Sequence, residues 1–182
     1  MAHTYVKKIC LLGDSAVGKT SLIRRFVADE FEDKYIETIG SKTSTKKISI
    51  VHQFQQVEIT LLIWDIMGKK MYDTLHASHY KGASGALVVC DLTRRKTYEN
   101  LQHWIRAFQI RCPDAVFIVL GNKSDLTALA QIKDEELTDF ASRYATTAIK
   151  TSARFGRNVE QAFVEISRKI VERESKGGLG RV

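Results

Sequence analysis

Gly13-Asp14-Ser15-Ala16-Val17-Gly18-Lys19-Thr20 has the spacing G-x-x-x-x-G-K-T. Glycines at both ends let a backbone curl until successive N–H groups face one point, which is where a phosphate chain can sit. Lys19 supplies a point charge for the β- and γ-phosphates, and Thr20 a hydroxyl for Mg²⁺. By itself the loop implies a phosphate without naming the nucleotide. A second cluster, Trp64-Asp65-Ile66-Met67-Gly68, places a carboxylate at the end of an apolar run with a glycine close behind. Asp65 can anchor Mg²⁺, a hard cation that takes oxygen ligands. The N–H of Gly68 can reach a terminal phosphate because no side chain stands in the way. The most selective cluster is Asn122-Lys123-Ser124-Asp125. A pocketed carboxylate accepts two hydrogen bonds from the adjacent N1–H and N2–H₂ donors of guanine. Adenine lacks both, so the wrong base leaves a buried group unsatisfied.

These clusters need a scaffold that brings them together. The apolar run Ile9-Cys10-Leu11-Leu12 enters the first loop and the amphipathic run Ser21–Val27 leaves it. That is a strand, a loop and a helix whose positive dipole end faces the phosphate. Downstream, apolar runs alternate with segments of helical period, as in βαβ units around a mostly parallel sheet. Strands are expected near 6–12, 45–51, 57–65, 86–90, 115–120 and 147–151. Helices are expected over 19–28, along Tyr98, Leu101, Ile105 and Phe108, along Leu137, Phe140, Ala141 and Tyr144, and along Val159, Phe163, Ile166 and Ile170. Residues 29–41 read as a loop, and 69–80 as a weakly patterned loop and helix. The link His52-Gln53-Phe54-Gln55-Gln56 is too short for a parallel crossover, so the strands it joins form an antiparallel hairpin. Ligands of an open parallel sheet bind outside the carboxyl ends of its strands. Each polar cluster falls at such an end, including Thr151-Ser152-Ala153 after the last strand.

A chain of 182 residues, 44% of them hydrophobic, suits one core and one domain. The expected division is a domain over 1–174 and a flexible tail over 175–182, where apolar content is too low to impose order. The net charge of +7 is spread over short pairs such as Arg24-Arg25 and Lys46-Lys47 without an aromatic-studded basic motif, so no nucleic-acid partner is expected. Cys10 and Cys90 lie in apolar runs and Cys112 makes the number odd, which suits reduced core thiols. There is no apolar run of membrane-spanning length and no secretory layout at the start. The expectation is a cytoplasmic monomer, peripheral to membranes through a partner or a basic surface.

Taken in order and spacing, Gly13–Thr20, Asp65–Gly68, Asn122–Asp125 and Thr151-Ser152-Ala153 resemble the Ras superfamily of small GTPases over about residues 7–172. Thr38-Ile39-Gly40, Ile63-Trp64-Asp65, Tyr80-Lys81-Gly82-Ala83 and Asp91-Leu92-Thr93 are similar to Rab proteins in particular. The resemblance implies an α/β G domain, a six-stranded mostly parallel sheet with one antiparallel edge strand and helices on both faces. It implies that Thr38 caps Mg²⁺ with its hydroxyl and meets the γ-phosphate with its N–H. Phe31 would lie against guanine, Tyr35 would close over the phosphates, Lys123 would pack on the base, and the Ala153 amide would meet guanine O6. The implied nucleotide-binding set is Ser15, Ala16, Val17, Gly18, Lys19, Thr20, Ser21, Phe31, Tyr35, Thr38, Gly68, Asn122, Lys123, Asp125, Ser152, Ala153 and Arg154. Its metal set is Thr20, Thr38 and Asp65, and its catalytic set Lys19, Thr38, Gly68 and Lys69. Cofactors are GTP or GDP and Mg²⁺, and effector, exchange and activating proteins would bind through residues 31–43 and 66–80.

Several positions depart from the resemblance. Lys69 stands where these proteins usually carry a glutamine that orients the attacking water, and lysine has no acceptor with which to hold one. Intrinsic GTP hydrolysis is therefore expected to be slow, the alternative being a GTP-binding interaction module with negligible hydrolysis. A small P-loop kinase is a further rival, disfavoured by the short chain and by Asn122–Asp125. Glu37 replaces a common proline, and Thr43 a phenylalanine of the partner-facing patch. The span from Thr38 to Asp65 is a few residues long for a Rab protein. The chain as given carries no cysteine after Cys112, so no prenyl anchor at its C-terminus is expected.

Overall fold

The computed structural model describes residues 3–32, 38, 40–68 and 78–178. Six strands, β1 (His3–Leu12), β2 (Ser41–His52), β3 (Gln55–Ile66), β4 (Gly85–Asp91), β5 (Val116–Asn122) and β6 (Ala148–Lys150), form one sheet in the order β2-β3-β1-β4-β5-β6. All pairs are parallel except the β2–β3 hairpin. The central strand β4 is buried along its whole length, which explains its unbroken apolar run.

Helices cover both faces. On one, α1 (Lys19–Ala28) and the C-terminal α5 (Val159–Gly178) pack over Ile9, Leu11, Ile59, Leu61 and Leu87. The rings of Phe26 and Phe163 stack between them, 3.9 Å apart at their centres. On the other face, α2 (Arg95–Glu99), α3 (Leu101–Arg111) and α4 (Asp134–Ser142) shield Cys10, Leu12, Val88, Cys90 and Val119. Cys10, Cys90 and Cys112 are unpaired and buried, and burial pushes the thiols of Cys10 and Cys90 up to about 12, so they are inert packing residues.

Local differences from the sequence expectation have physical causes. The hairpin turn is only Gln53-Phe54, both with positive φ, and the strands run 12 residues each, so the extra length lies in the ladder. The start of β2, Ser41-Lys42-Thr43-Ser44, shows no apolar alternation because an edge strand has a neighbour on one side only. The expected helix through Tyr98 and Phe108 is split at Asn100 into α2 and α3. Tyr144 lies in the turn beyond α4 yet still packs on Phe140. α5 continues past Ser175, where the sequence reading begins a tail; Ser175 donates to the Val171 carbonyl and meets the ring of His52.

α4 starts on a carboxylate clamp. Glu136 accepts from the Lys133 N–H at 3.0 Å and from the Arg95 guanidinium at 2.6 Å. These donors hold its carboxyl down at about 2, from an ordinary 4.5. A folded value below the unfolded one means stability that is present above about pH 4.5 and lost as the pH falls toward 2. Glu136→Gln is thus expected to melt below wild type at pH 7, with the gap closing between pH 4.5 and 2. A gap independent of pH would show that the clamp adds nothing through charge.

Candidate functional site

The carboxyl ends of β1, β3, β5 and β6 open on one cleft of about 480 Å³. Its first wall is the loop between β1 and α1. Gly18 there has φ +98°, and a Cβ on it would collide with the Asn122 side-chain amide, so no larger residue fits. Lys19 is buried, its ammonium donating to the carbonyls of Gly13 at 2.8 Å and Asp14 at 2.9 Å. Burial lowers its pKa from 10.5 to about 8, against the pull of the Asp65 and Asp14 carboxylates.

At the inner end, three oxygen-bearing side chains converge. Thr20 Oγ1 donates to Asp65 Oδ2 at 2.5 Å and lies 2.8 Å from Thr38 Oγ1, which reaches the same carboxylate oxygen at 3.4 Å. Among the described residues, Asp65 Oδ1 is buried without a hydrogen-bond partner. Burial raises the Asp65 pKa, while Thr20, Lys19, Thr38 and Lys42 oppose the rise. Two hydroxyls and a carboxylate with an orphaned oxygen are the hard donors that Mg²⁺ takes. Gly68 closes this end. A Cβ there would stand 2.5 Å from both the Asp14 carbonyl oxygen and the Ser15 nitrogen.

The other end is built from the loops after β5 and β6. Asn122 donates to the Val17 carbonyl at 2.8 Å and accepts from Thr151 Oγ1 at 3.1 Å and the Ala153 N–H at 3.3 Å, tying three loops together. Asp125 accepts from Ser152 Oγ at 2.6 Å, which aims the carboxylate. Lys123 has φ +65° and pairs with Asp91 at 2.6 Å.

Of the expected site residues, Ser15, Ala16, Gly18, Lys19, Thr20, Ser21, Phe31, Thr38, Asp65, Gly68, Asn122, Lys123, Asp125, Ala153 and Arg154 line the cleft. Val17 and Ser152 are fully buried behind it, Val17 in the core and Ser152 beneath Asp125. Tyr35 and Lys69 lie outside the described residues.

The sequence reading missed the braces. Asp14 accepts from Asn100 Nδ2 at 2.6 Å and Trp104 Nε1 at 2.9 Å, anchoring the phosphate loop on α3. The Asp91 carboxylate holds Lys123 and Arg94, and Arg94 reaches on to the Ser15 carbonyl at 2.8 Å. Burial works against ionisation of Asp91, yet hydrogen bonds from Lys123 and Thr93 outweigh it and hold its carboxyl below the usual range. Arg25, on α1, donates to the carbonyls of Ala153 and Arg154 at 2.9 and 2.8 Å. Asp91 and Asn100 could have been suspected as polar residues embedded between apolar runs; Arg25 carried no signal.

A phosphate cradle and a polar base-loop pocket at opposite ends of one cleft, on this sheet order, define a P-loop GTPase domain. The chain belongs to the Ras family, whose profile matches residues 8–172. It is similar to Rab proteins: 33% identical to mouse Rab-22A over 95% of this chain and 88% of that one. It is 36% identical to RABA1h of Arabidopsis thaliana over 97% and 80%, and 36% to zebrafish Rab-4A over 98% and 84%. Ras-family proteins are GTPases and molecular switches that bind GTP or GDP with Mg²⁺. Among the described residues, no helix is long and apolar enough to cross a membrane.

Proposed function

We propose that this chain is a Rab-like switch in membrane trafficking that holds GTP or GDP with Mg²⁺ and hydrolyses GTP slowly by itself. The observation that carries the reading is the layout of the cleft, with Lys19, Thr20, Thr38, Asp65 and Gly68 at one end and Asn122 and Asp125 at the other. Asp125 would accept the paired donors of guanine, Lys123 would cover the ring, and the Ala153 N–H, which donates to Asn122 Oδ1 at 3.3 Å, would meet guanine O6. Backbone N–H groups of Ser15–Lys19 and the Lys19 ammonium bind the phosphates. Thr20, Thr38 and Asp65 would hold Mg²⁺, whose charge offsets that of the phosphates when bound. The N–H groups of Thr38 and Gly68 take the γ-phosphate, so these two segments come together with GTP and separate with GDP. Partners read that difference through residues 31–43 and 66–80, and association with membranes is peripheral.

The partner-facing surface supports an unusual choice of effector. Thr43 lies opposite Trp64 in the β2–β3 register and offers no aromatic face, while the Lys8 ammonium sits over the Trp64 ring, 4.0 Å from its centre. Effectors that need two adjacent aromatic rings there would not fit.

Lys69 carries the slow-hydrolysis part, since an ammonium donates hydrogen bonds but cannot accept one from water. Single-turnover hydrolysis is expected to be faster in Lys69→Gln than in wild type, by on the order of tenfold or more, and purified protein should retain GTP. Equal or slower hydrolysis in the variant would give Lys69 a catalytic part of its own. Absence of any sustained turnover, with or without cell extract, would favour the binding-only module; preference for ATP over GTP would overturn the reading.

A further inference from the structure

The cleft has a cation at its mouth that the site described so far does not use. Lys42, at the second position of β2, is paired in the antiparallel ladder directly with Asp65 on β3. Residues directly opposite in such a ladder share a face. For this pair it is the α1 face: Lys46, two pleats further along β2, donates to the Val27 carbonyl at the end of α1, and Ile48 and Ile50 join the core beneath that helix. The ladder is extended past the strand end by the Met67 N–H donating to the Gly40 carbonyl at 3.1 Å, so the backbone under Lys42 is held in place. Its side chain lines the cleft with Thr20, Thr38 and Asp65.

The geometry points to Lys42 as a further residue of the phosphate and metal end, one that weakens the grip on Mg²⁺ while attracting phosphate, and so makes nucleotide retention less dependent on the metal. This deepens the proposed function and rests on it. Two lysines then share the cleft with the Asp65 carboxylate, Lys19 buried and Lys42 exposed. A divalent cation entering there meets the repulsion of both, while a phosphate oxygen gains from both. Because Lys42 is exposed, solvent screening limits its effect to a several-fold change.

The test follows release of a fluorescent GDP analogue from wild type, Lys42→Met, Lys42→Glu and Lys42→Arg, from chelator alone to millimolar Mg²⁺. Lys42→Met is expected to bring the half-effective Mg²⁺ concentration down by about fivefold and to enlarge the acceleration caused by chelation. Lys42→Glu should go further, and Lys42→Arg should stay near wild type. Equal half-effective concentrations in wild type and Lys42→Met, with the analogue bound normally, would overturn the role of Lys42 alone. Failure of wild type to bind the analogue at any Mg²⁺ concentration would overturn the proposed function and this inference with it. Thermal unfolding without nucleotide keeps a misfolded variant from counting as either outcome.

Discussion

Asp125→Asn is expected to lower affinity for GDP and GTP by on the order of a thousandfold while leaving the fold intact. The carboxylate presents two acceptors, one already fixed by Ser152 Oγ at 2.6 Å. An asparagine keeps the shape but turns one acceptor into a donor, which then faces the guanine amino group donor to donor. The cost is a charge-assisted hydrogen bond lost and a buried donor left unpaired. The same change should improve binding of xanthosine diphosphate, whose C2 carbonyl accepts where guanine donates. Equilibrium titration of both nucleotides on both proteins measures the reversal. Should Asp125→Asn bind GDP as tightly as wild type, the loop after β5 does not read the base.

Gly68→Ala should spare GDP affinity to within about threefold yet slow single-turnover GTP hydrolysis by at least about a hundredfold. A Cβ at this position runs into the Asp14 carbonyl and the Ser15 nitrogen. The phosphate loop cannot yield, because Asp14 is held by Asn100, the residue that precedes α3, and by Trp104 on α3. Position 68 must then move out, and its N–H leaves the γ-phosphate. GDP lacks that phosphate and loses little. Hydrolysis at the wild-type rate in Gly68→Ala would remove Gly68 from the catalytic set, and GDP affinity lost in parallel would mean that the substitution disturbs the whole cleft.

What the sequence made legible was local. The G-x-x-x-x-G-K-T loop and Asn122–Asp125 are short runs whose chemistry needs neighbours within a few residues, and apolar runs between helical periods give the parallel sheet directly. Joining the clusters in one cleft followed from the rule that such sheets bind ligands at strand ends. The braces were not legible because each links residues far apart: Asp14 with Trp104, Arg94 with Ser15, Arg25 with Ala153. No spacing announces such a pair; only the folded register does. The β2–β3 hairpin was legible from its short link, but which two residues of that link make the turn was not. Two-residue hairpin turns with positive φ favour Asn and Gly, and neither residue is present.

The Asn122 amide, donating to the Val17 carbonyl, and the Arg25 guanidinium, spanning from α1 to the loop after β6, have a kinetic corollary. They bolt the guanine end to the phosphate cradle, so half of the cleft behaves as a rigid wall. Thr38 and Gly68 take no part in those bolts: Thr38 meets Thr20 and Asp65, and Gly68 lies against Asp14 and Ser15. On the proposed function, release of the nucleotide is expected to begin at the phosphate and proceed toward the base, and an exchange protein would gain leverage by prying at the Thr38 and Gly68 end.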